Sequence, residues 1–227
     1  MVSYEHHTAW EIGRVYIAIE GVIGVGKTTL ARLLKDHFDA ELQLEVFEEN
    51  PFLADFYEDR ARYAFQTQIF FLLSRYHQQR RSVRDVLDSG RNLLTDYTFA
   101  KDALFASLNL EGDELDVYYS VHEALGEKVR LPDLIVYLRA DTPVLMQRIA
   151  IRDRAYERNM DPDYITQLVG VYDAHFMVHY QGPPVLVVDT NELNIVSEPE
   201  DLAWVIARIE DALQQTPQQP ELPLGAD

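Results

Sequence analysis

The sequence predicts an α/β protein: a five-stranded parallel sheet flanked by helices. Three observations predict it. Short β-branched apolar runs alternate with segments whose apolar residues recur at helical spacing. The first of those runs, "RVYIAIE", ends on a glycine cluster that opens straight into a helical stripe. Hydrophobic residues make up 47% of the 227 and charged residues 26%, enough apolar surface to bury such a sheet.

Each element has its own reason. Arg14–Glu20 is short, β-branched and closed by glycine, and reads as the first strand. Lys27–Phe38 carries Leu30, Leu33, Leu34 and Phe38 on one helical stripe. Leu42–Phe47 reads as the second strand, and "NPF" turns the chain into a helix. No Gly or Pro interrupts Phe52 to Leu87, where Tyr63, Ile69, Phe70, Leu73 and Tyr76 keep helical spacing, so a short helix and a long one are expected. Ser89–Tyr97 is a turn leading into the third strand. "TFAKDALFASLNL" and "DELDVYYSVHEALGEKV" read as helices, and Pro132–Ala140 as the fourth strand. "TPVLMQRIAIRDR" starts a helix with Thr142 as the expected N-cap and Pro143 at the first helical position. "DPDYITQLVGVYDAHFMVHY" is a further helix, Pro183–Thr190 the fifth strand and "EPEDLAWVIARIEDALQQ" the last helix. One domain is expected over residues 1–214. Residues 215–227, poor in large apolar side chains and rich in Pro and Gln, are expected to be a disordered tail.

Composition narrows function. A net charge of −18 argues against binding a nucleic-acid polymer or an anionic membrane surface. No run of about 18 apolar residues suggests a membrane span. The amino terminus lacks the basic and apolar regions of a signal peptide. The absence of cysteine excludes disulfides and thiolate metal sites, and a cytoplasmic location is expected. Arg148, Arg152, Arg154 and Arg158, within eleven residues, are a local exception to the acidic field.

Gly21-x-x-x-x-Gly26-Lys27-Thr28 matches G-x(4)-G-K-[ST] in full, with a predicted strand before it and a helix after it. Glycines let successive N–H groups curl around a phosphate, and the helix N-terminus adds partial positive charge. Lys27 suits the outer phosphates, and the Thr28 hydroxyl suits Mg²⁺. The expected fold is therefore that of the P-loop NTPases and kinases, but the loop alone leaves the phosphate acceptor open.

Three constellations bear on the acceptor. Glu45 follows the second strand, where open α/β sheets place their ligand crevice, and a carboxylate there can take a proton from an attacking hydroxyl. It reads equally well as a solvated turn residue beside Glu48 and Glu49. Tyr57, Gln68 and Arg75 lie on the helical stretch, the last two sharing a face with Phe65 and Phe71 nearby; the alternative is a core helix with incidental polar edges. Arg148, Arg152 and Arg154 suit a transferring phosphoryl group, the alternative being a solvated helix face. The spacing of two between Arg152 and Arg154 leaves one helix face and suggests a helix end. His175 and His179, four apart, read as a core or interface pair rather than metal ligands.

In order, "GVIGVGKTTLARLL", "FEENPFLADFYED", "FQTQIFFLLSRY", "RIAIRDRAYE" and "LVVDTNEL" together resemble the deoxynucleoside kinase family, above all its bacterial deoxyadenosine and deoxyguanosine kinase branch. The resemblance covers roughly residues 14 to 210. It implies phosphorylation of a deoxynucleoside 5′-hydroxyl by ATP with Mg²⁺, the deoxynucleoside being a purine (deoxyadenosine or deoxyguanosine) or deoxycytidine, and commonly a homodimer. Glu45 resembles the catalytic base, Tyr57 the residue holding the 3′-hydroxyl, and Gln68, Arg75 and Asp102 the base-side contacts. Gly21, Gly24, Val25, Gly26, Lys27, Thr28 and Thr29 resemble the phosphate cradle, with Thr28 and Asp96 on the metal. Arg148, Arg152 and Arg154 resemble a lid over the phosphates, at about residues 148–160, with Glu157 near the sugar. Asp189, Asn191 and Glu192 resemble the loop that cups the adenine of ATP. The family's third strand usually ends Asp/Glu-Arg-Ser/Thr; here it reads Asp96-Tyr97-Thr98, without the arginine that the resemblance implies would buttress the base and the catalytic carboxylate, a charge Arg75 is expected to cover in part. A thymidylate-type monophosphate kinase is the nearest alternative. A nucleotide-binding switch is a remoter one, since "TNELN" lacks a guanine-recognition motif.

Overall fold

In the computed structural model, β1 (Tyr16–Gly21), β2 (Ala40–Gln43), β3 (Asn92–Thr95), β4 (Leu134–Arg139) and β5 (Val185–Asp189) form one parallel sheet in the order β2-β3-β1-β4-β5. Residues 14–47 and 49–215 are described. Glu48, the amino-terminal stretch with His6 and His7, and the predicted tail past Gln215 lie outside the described residues. Gln215 itself ends the last helix instead of starting the tail.

Around the sheet lie α1 (Lys27–Leu34), α2 (Leu53–Glu58), α3 (Arg60–Gln78), α4 (Arg84–Asp88), α5 (Ala100–Asn109), α6 (Gly112–Gly126), α7 (Thr142–Arg152), α8 (Pro162–Asp173) and α9 (Pro199–Gln215). β1 is buried along its whole length because both faces are covered. Ile17 and Ile19 enter the main core with Leu94, while Tyr16 and Ala18 pack with Leu93 against Val83 and Leu87. That is the period of two expected of a strand between layers.

Several boundaries differ from expectation. β2 is Ala40–Gln43, not Leu42–Phe47, because only those four residues pair with β3. Past Gln43 the chain turns to other partners: the Leu44 carbonyl accepts from Gln78, and the Glu45 N–H donates to Asp96. α1 ends at Leu34, four residues early, and Asp39 adopts a left-handed φ of 45° in the turn that follows. The N-cap of α7 is Asp141, with Thr142 its first residue and Pro143 its second. The long helix after α2 is interrupted by a π-helical turn at Gln79–Val83, and α8 runs into another at Ala174–His179.

Gly21 ends β1 at a φ of 145°, and an added Cβ would meet the Leu138 carbonyl oxygen at 2.4 Å. Gly21→Ala therefore forces β1 and β4 apart. A loss of about 2 kcal/mol or more is expected, lowering Tm by about 4–8 °C for a chain of this size. Gly26, at a φ of 105°, has nothing within 4 Å of its would-be Cβ, so Gly26→Ala should melt higher than Gly21→Ala. Equal melting temperatures by circular dichroism would contradict this account.

Candidate active site

The strand order brings the site together. β2, β3 and β1 are neighbours, so their carboxyl ends deliver Glu45, Asp96 and the glycine loop to one place. β4 and β5 lie on the other side of β1 and carry the Thr190–Leu193 loop.

Gly21, Gly24 and Gly26 all take positive φ, at 145°, 87° and 105°, and so curl the loop. Lys27 folds back over it, donating to the carbonyls of Gly21 at 2.7 Å and Val22 at 3.1 Å. Burial, and next the charge of Lys101, push the Lys27 ammonium down to about 8, against the pull of Glu20, Glu45 and Asp96. The Thr28 hydroxyl donates to Asp96 Oδ2, and Asp96 Oδ1 accepts the Glu45 N–H at 2.7 Å. Asp96 thus joins the phosphate loop to the segment carrying Glu45.

Burial alone would raise the Glu45 pKa. Lys101 and Arg75 outweigh it and hold the carboxyl well below the usual carboxylate range. Arg75 Nη2 donates to Glu45 Oε1 at 2.9 Å, and Lys101 Nζ donates to Oε2. Arg75 is itself clamped by Asp102, with Nε and Nη2 donating at 2.6 and 2.8 Å. The fork–carboxylate geometry fixes the guanidinium before any ligand arrives.

A cleft of about 780 Å³, partly open to solvent, spans these groups. Lys27, Thr28, Glu45 and Asp96 line one part of it; Tyr57, Gln68, Arg75 and Asp102 line another, with Phe71 and Phe105 as apolar wall. Gln68 is buried there; Phe65 is not part of the lining. Arg152, at the end of α7, and Arg154 and Glu157, just past it, also line the cleft. The helix stops at Arg152 because Asp153 takes a left-handed φ of 49°. Arg152 donates twice to Glu157 Oε2, at 3.1 and 2.6 Å, and the Arg154 guanidinium lies 4.1 Å from the Phe47 ring centroid. Tyr57 stacks on Tyr156 at 5.9 Å.

Other predicted residues lie outside the cleft. Arg148 donates to the Thr190 hydroxyl at 2.9 Å and to its carbonyl at 2.6 Å, tying α7 to the loop after β5. Asp189 pairs with Arg139 at 3.4 Å, and Asn191 accepts the Asp141 N–H at 2.9 Å. Glu192 and Thr29 are exposed, and Val25 is buried. Among the described residues no cluster of three or more His, Asp or Glu forms a metal cage. The Thr28–Asp96 oxygen pair fits Mg²⁺, which takes one or two protein oxygens and fills its other positions with phosphate and water.

Two charged residues carry little mark in the sequence: Lys101, which lines the cleft, and Glu20, which does not. Lys101 was hidden in an amphipathic helix beside Asp102. Glu20 is fully buried: its Oε2 accepts from the Gly21 N–H at 3.0 Å, and its Oε1 from the Thr98 N–H and hydroxyl at 2.6 and 2.9 Å. Its only signal was a lone acid inside "IAIEG". Tyr97, in the place of the expected arginine, is buried with its hydroxyl unpaired and its ring 4.8 Å from the Arg75 guanidinium.

The family model for deoxynucleoside kinases matches residues 17–214. The chain belongs to the deoxynucleoside kinase family. It is 32% identical over 201 residues to the deoxyguanosine kinase of Bacillus subtilis strain 168, covering 87% of this chain and 97% of that one. It is also 32% identical over 196 residues to the deoxyadenosine kinase of Dictyostelium discoideum, covering 84% and 77%. A structure of the deoxyadenosine kinase from M. mycoides, with products dCMP and a flexible dCDP bound, matches with a TM-score of 0.74 at 25% identity, over 86% of this chain and 99% of that one. As a deoxynucleoside kinase, the enzyme phosphorylates deoxynucleosides with ATP as donor, a reaction of nucleotide salvage. No helix among the described residues is long and apolar enough to cross a membrane.

Proposed function

We propose that this kinase phosphorylates a purine deoxynucleoside, with Glu45 as the general base on the 5′-hydroxyl. The observation that carries the reading is the Glu45 carboxylate, gripped on both oxygens in the cleft that also holds Lys27 and Thr28. A carboxylate kept ionised and oriented can accept the hydroxyl proton as the phosphoryl group moves. Lys27, Arg152 and Arg154 spread the charge on the γ-phosphoryl, and Arg148 supports the ATP side from the Thr190 loop. Thr28 and Asp96 would hold Mg²⁺, which when bound neutralises phosphate charge.

Tyr57 and Glu157 take the sugar hydroxyl, and Gln68 with the Arg75–Asp102 pair reads the base edge. The Gly21–Thr29 loop takes the ATP phosphates, and Asp189, Asn191 and Glu192 its adenine. Residues 1–214 act as one catalytic domain with a lid at 148–160. The relatives named deoxyguanosine and deoxyadenosine kinases support a purine acceptor, and deoxycytidine is the rival, because the M. mycoides deoxyadenosine kinase structure carries dCMP as product. We further propose a cytoplasmic homodimer. Its contact would use the exposed Leu73 of α3 and Val117 and Tyr119 of α6, large apolar residues on two helices that pack together.

The test is kcat/KM for the four deoxynucleosides and their monophosphates, with ATP and Mg²⁺. Deoxyguanosine or deoxyadenosine is expected to exceed thymidine by about tenfold or more, a difference one or two base-edge hydrogen bonds supply. A preference for a monophosphate acceptor would overturn the reading.

A further inference from the structure

Three elements converge on Glu45. Arg75 comes from α3, Lys101 from the first turn of α5, and Asp96 from the end of β3. Arg75 is locked by Asp102 and contacts one oxygen of the carboxylate. With that contact alone the carboxylate remains free to pivot about Oε1. The second oxygen is held by Lys101, whose ammonium makes its ion pair with Glu45 and lies 5.7 Å from the Phe105 ring centroid. Lys101 is 8% exposed, so its charge is placed in the interior, where only a partner justifies it. Tyr97, four residues earlier, does not line the cleft and lies against Arg75.

We propose that Lys101 is a positioning residue for the reaction: it orients the second oxygen of Glu45 toward the acceptor hydroxyl. The inference rests on reading Glu45 as the base. A carboxylate fixed at both oxygens needs no reorganisation when the hydroxyl arrives, and that advantage belongs to the chemical step rather than to ATP binding. A plainly neutralising role is the rival. Glu20, Asp96 and Asp102 stand close by with Lys27, and Lys101 could simply balance their charge. The two roles differ in whether the effect of Lys101 passes through Glu45.

A double-mutant cycle on the full chain separates them. Lys101→Met is expected to lower kcat by about thirtyfold and leave KM for ATP within about twofold. Lys101→Arg, which keeps a cation and its N–H donors, should stay within about fivefold of the parent. In a Glu45→Gln background, adding Lys101→Met should cost less than about twofold more, because the group it positions is already gone. Melting temperatures accompany each variant. If Lys101→Met does not fold, Lys101→Gln, which keeps an N–H donor without the charge, replaces it in the cycle. The same loss in both backgrounds, or a kcat within about twofold of the parent in Lys101→Met, overturns the inference while the parent remains active. A parent that phosphorylates no deoxynucleoside overturns the reading of Glu45, and this inference with it.

Discussion

Glu45→Gln is expected to lower kcat by about a thousandfold, within the range of a lost general base, while the affinity for ATP stays within about twofold. The substitution keeps the shape of the side chain and removes its basicity. The amide oxygen can still accept from Arg75, but its NH₂ then faces the Lys101 ammonium where a carboxylate oxygen used to be. Lys27, Thr28 and the glycine loop do not depend on the Glu45 side chain for their shape, since Lys27 is held by the Gly21 and Val22 carbonyls. Steady-state kinetics against deoxyguanosine and deoxyadenosine, with calorimetric titration of ATP, check both halves. A turnover within about threefold of the parent would remove Glu45 from the chemistry.

Arg75→Met should produce the largest loss of stability. The guanidinium is 3% exposed and touches Asp102 twice and Glu45 once, so its removal strands the buried Asp102 carboxylate and leaves Glu45 with Lys101 alone. Breaking a buried ion pair from one side costs about 3–5 kcal/mol. For a chain of this length that is a fall in Tm of about 6–20 °C. The tyrosine ring beneath the guanidinium also loses its stacking partner. Adding Asp102→Asn to Arg75→Met removes one stranded charge and should recover part of the fall, which independent sites would not do. Calorimetric melting of the two variants decides it: a Tm within about 3 °C of the parent for Arg75→Met would mean that the carboxylates find water or other partners.

These two residues illustrate how unevenly the site was legible. The glycine loop could be read because its backbone requirement is local: glycine where φ is positive, lysine and threonine at the start of the following helix. Gln68 and Arg75 could be placed on one face from their separation alone. The end at Asp153 was announced by the spacing of Arg152 and Arg154, whereas the end of α1 was not: the chain leaves the helix after Leu34, and Asp39 in the turn that follows adopts a left-handed φ that no glycine announced. The extent of β2 depended on how many residues of β3 lay opposite it, which is a property of the pair. Asp102 was named as a contact to the base, and its partner in the structure is Arg75.

Lys101 shows the limit most plainly. In the sequence it is one of 20 basic residues in a chain with 38 acidic ones, and an amphipathic helix absorbs it without remark. Glu20 likewise passed as a polar end to an apolar strand. What the sequence determined by itself was the alternation of strands and helices, the phosphate loop, and the order of elements that marks the kinase family. Those rest on backbone requirements and on periodicity, which neighbouring residues set among themselves. The pairing of Lys101 and Arg75 on opposite oxygens of Glu45, and of Glu20 with Thr98, was decided only when the sheet order brought distant segments together. Buried charges choose partners by distance in three dimensions, and the electrostatic gain that selects them exists only once water has been excluded.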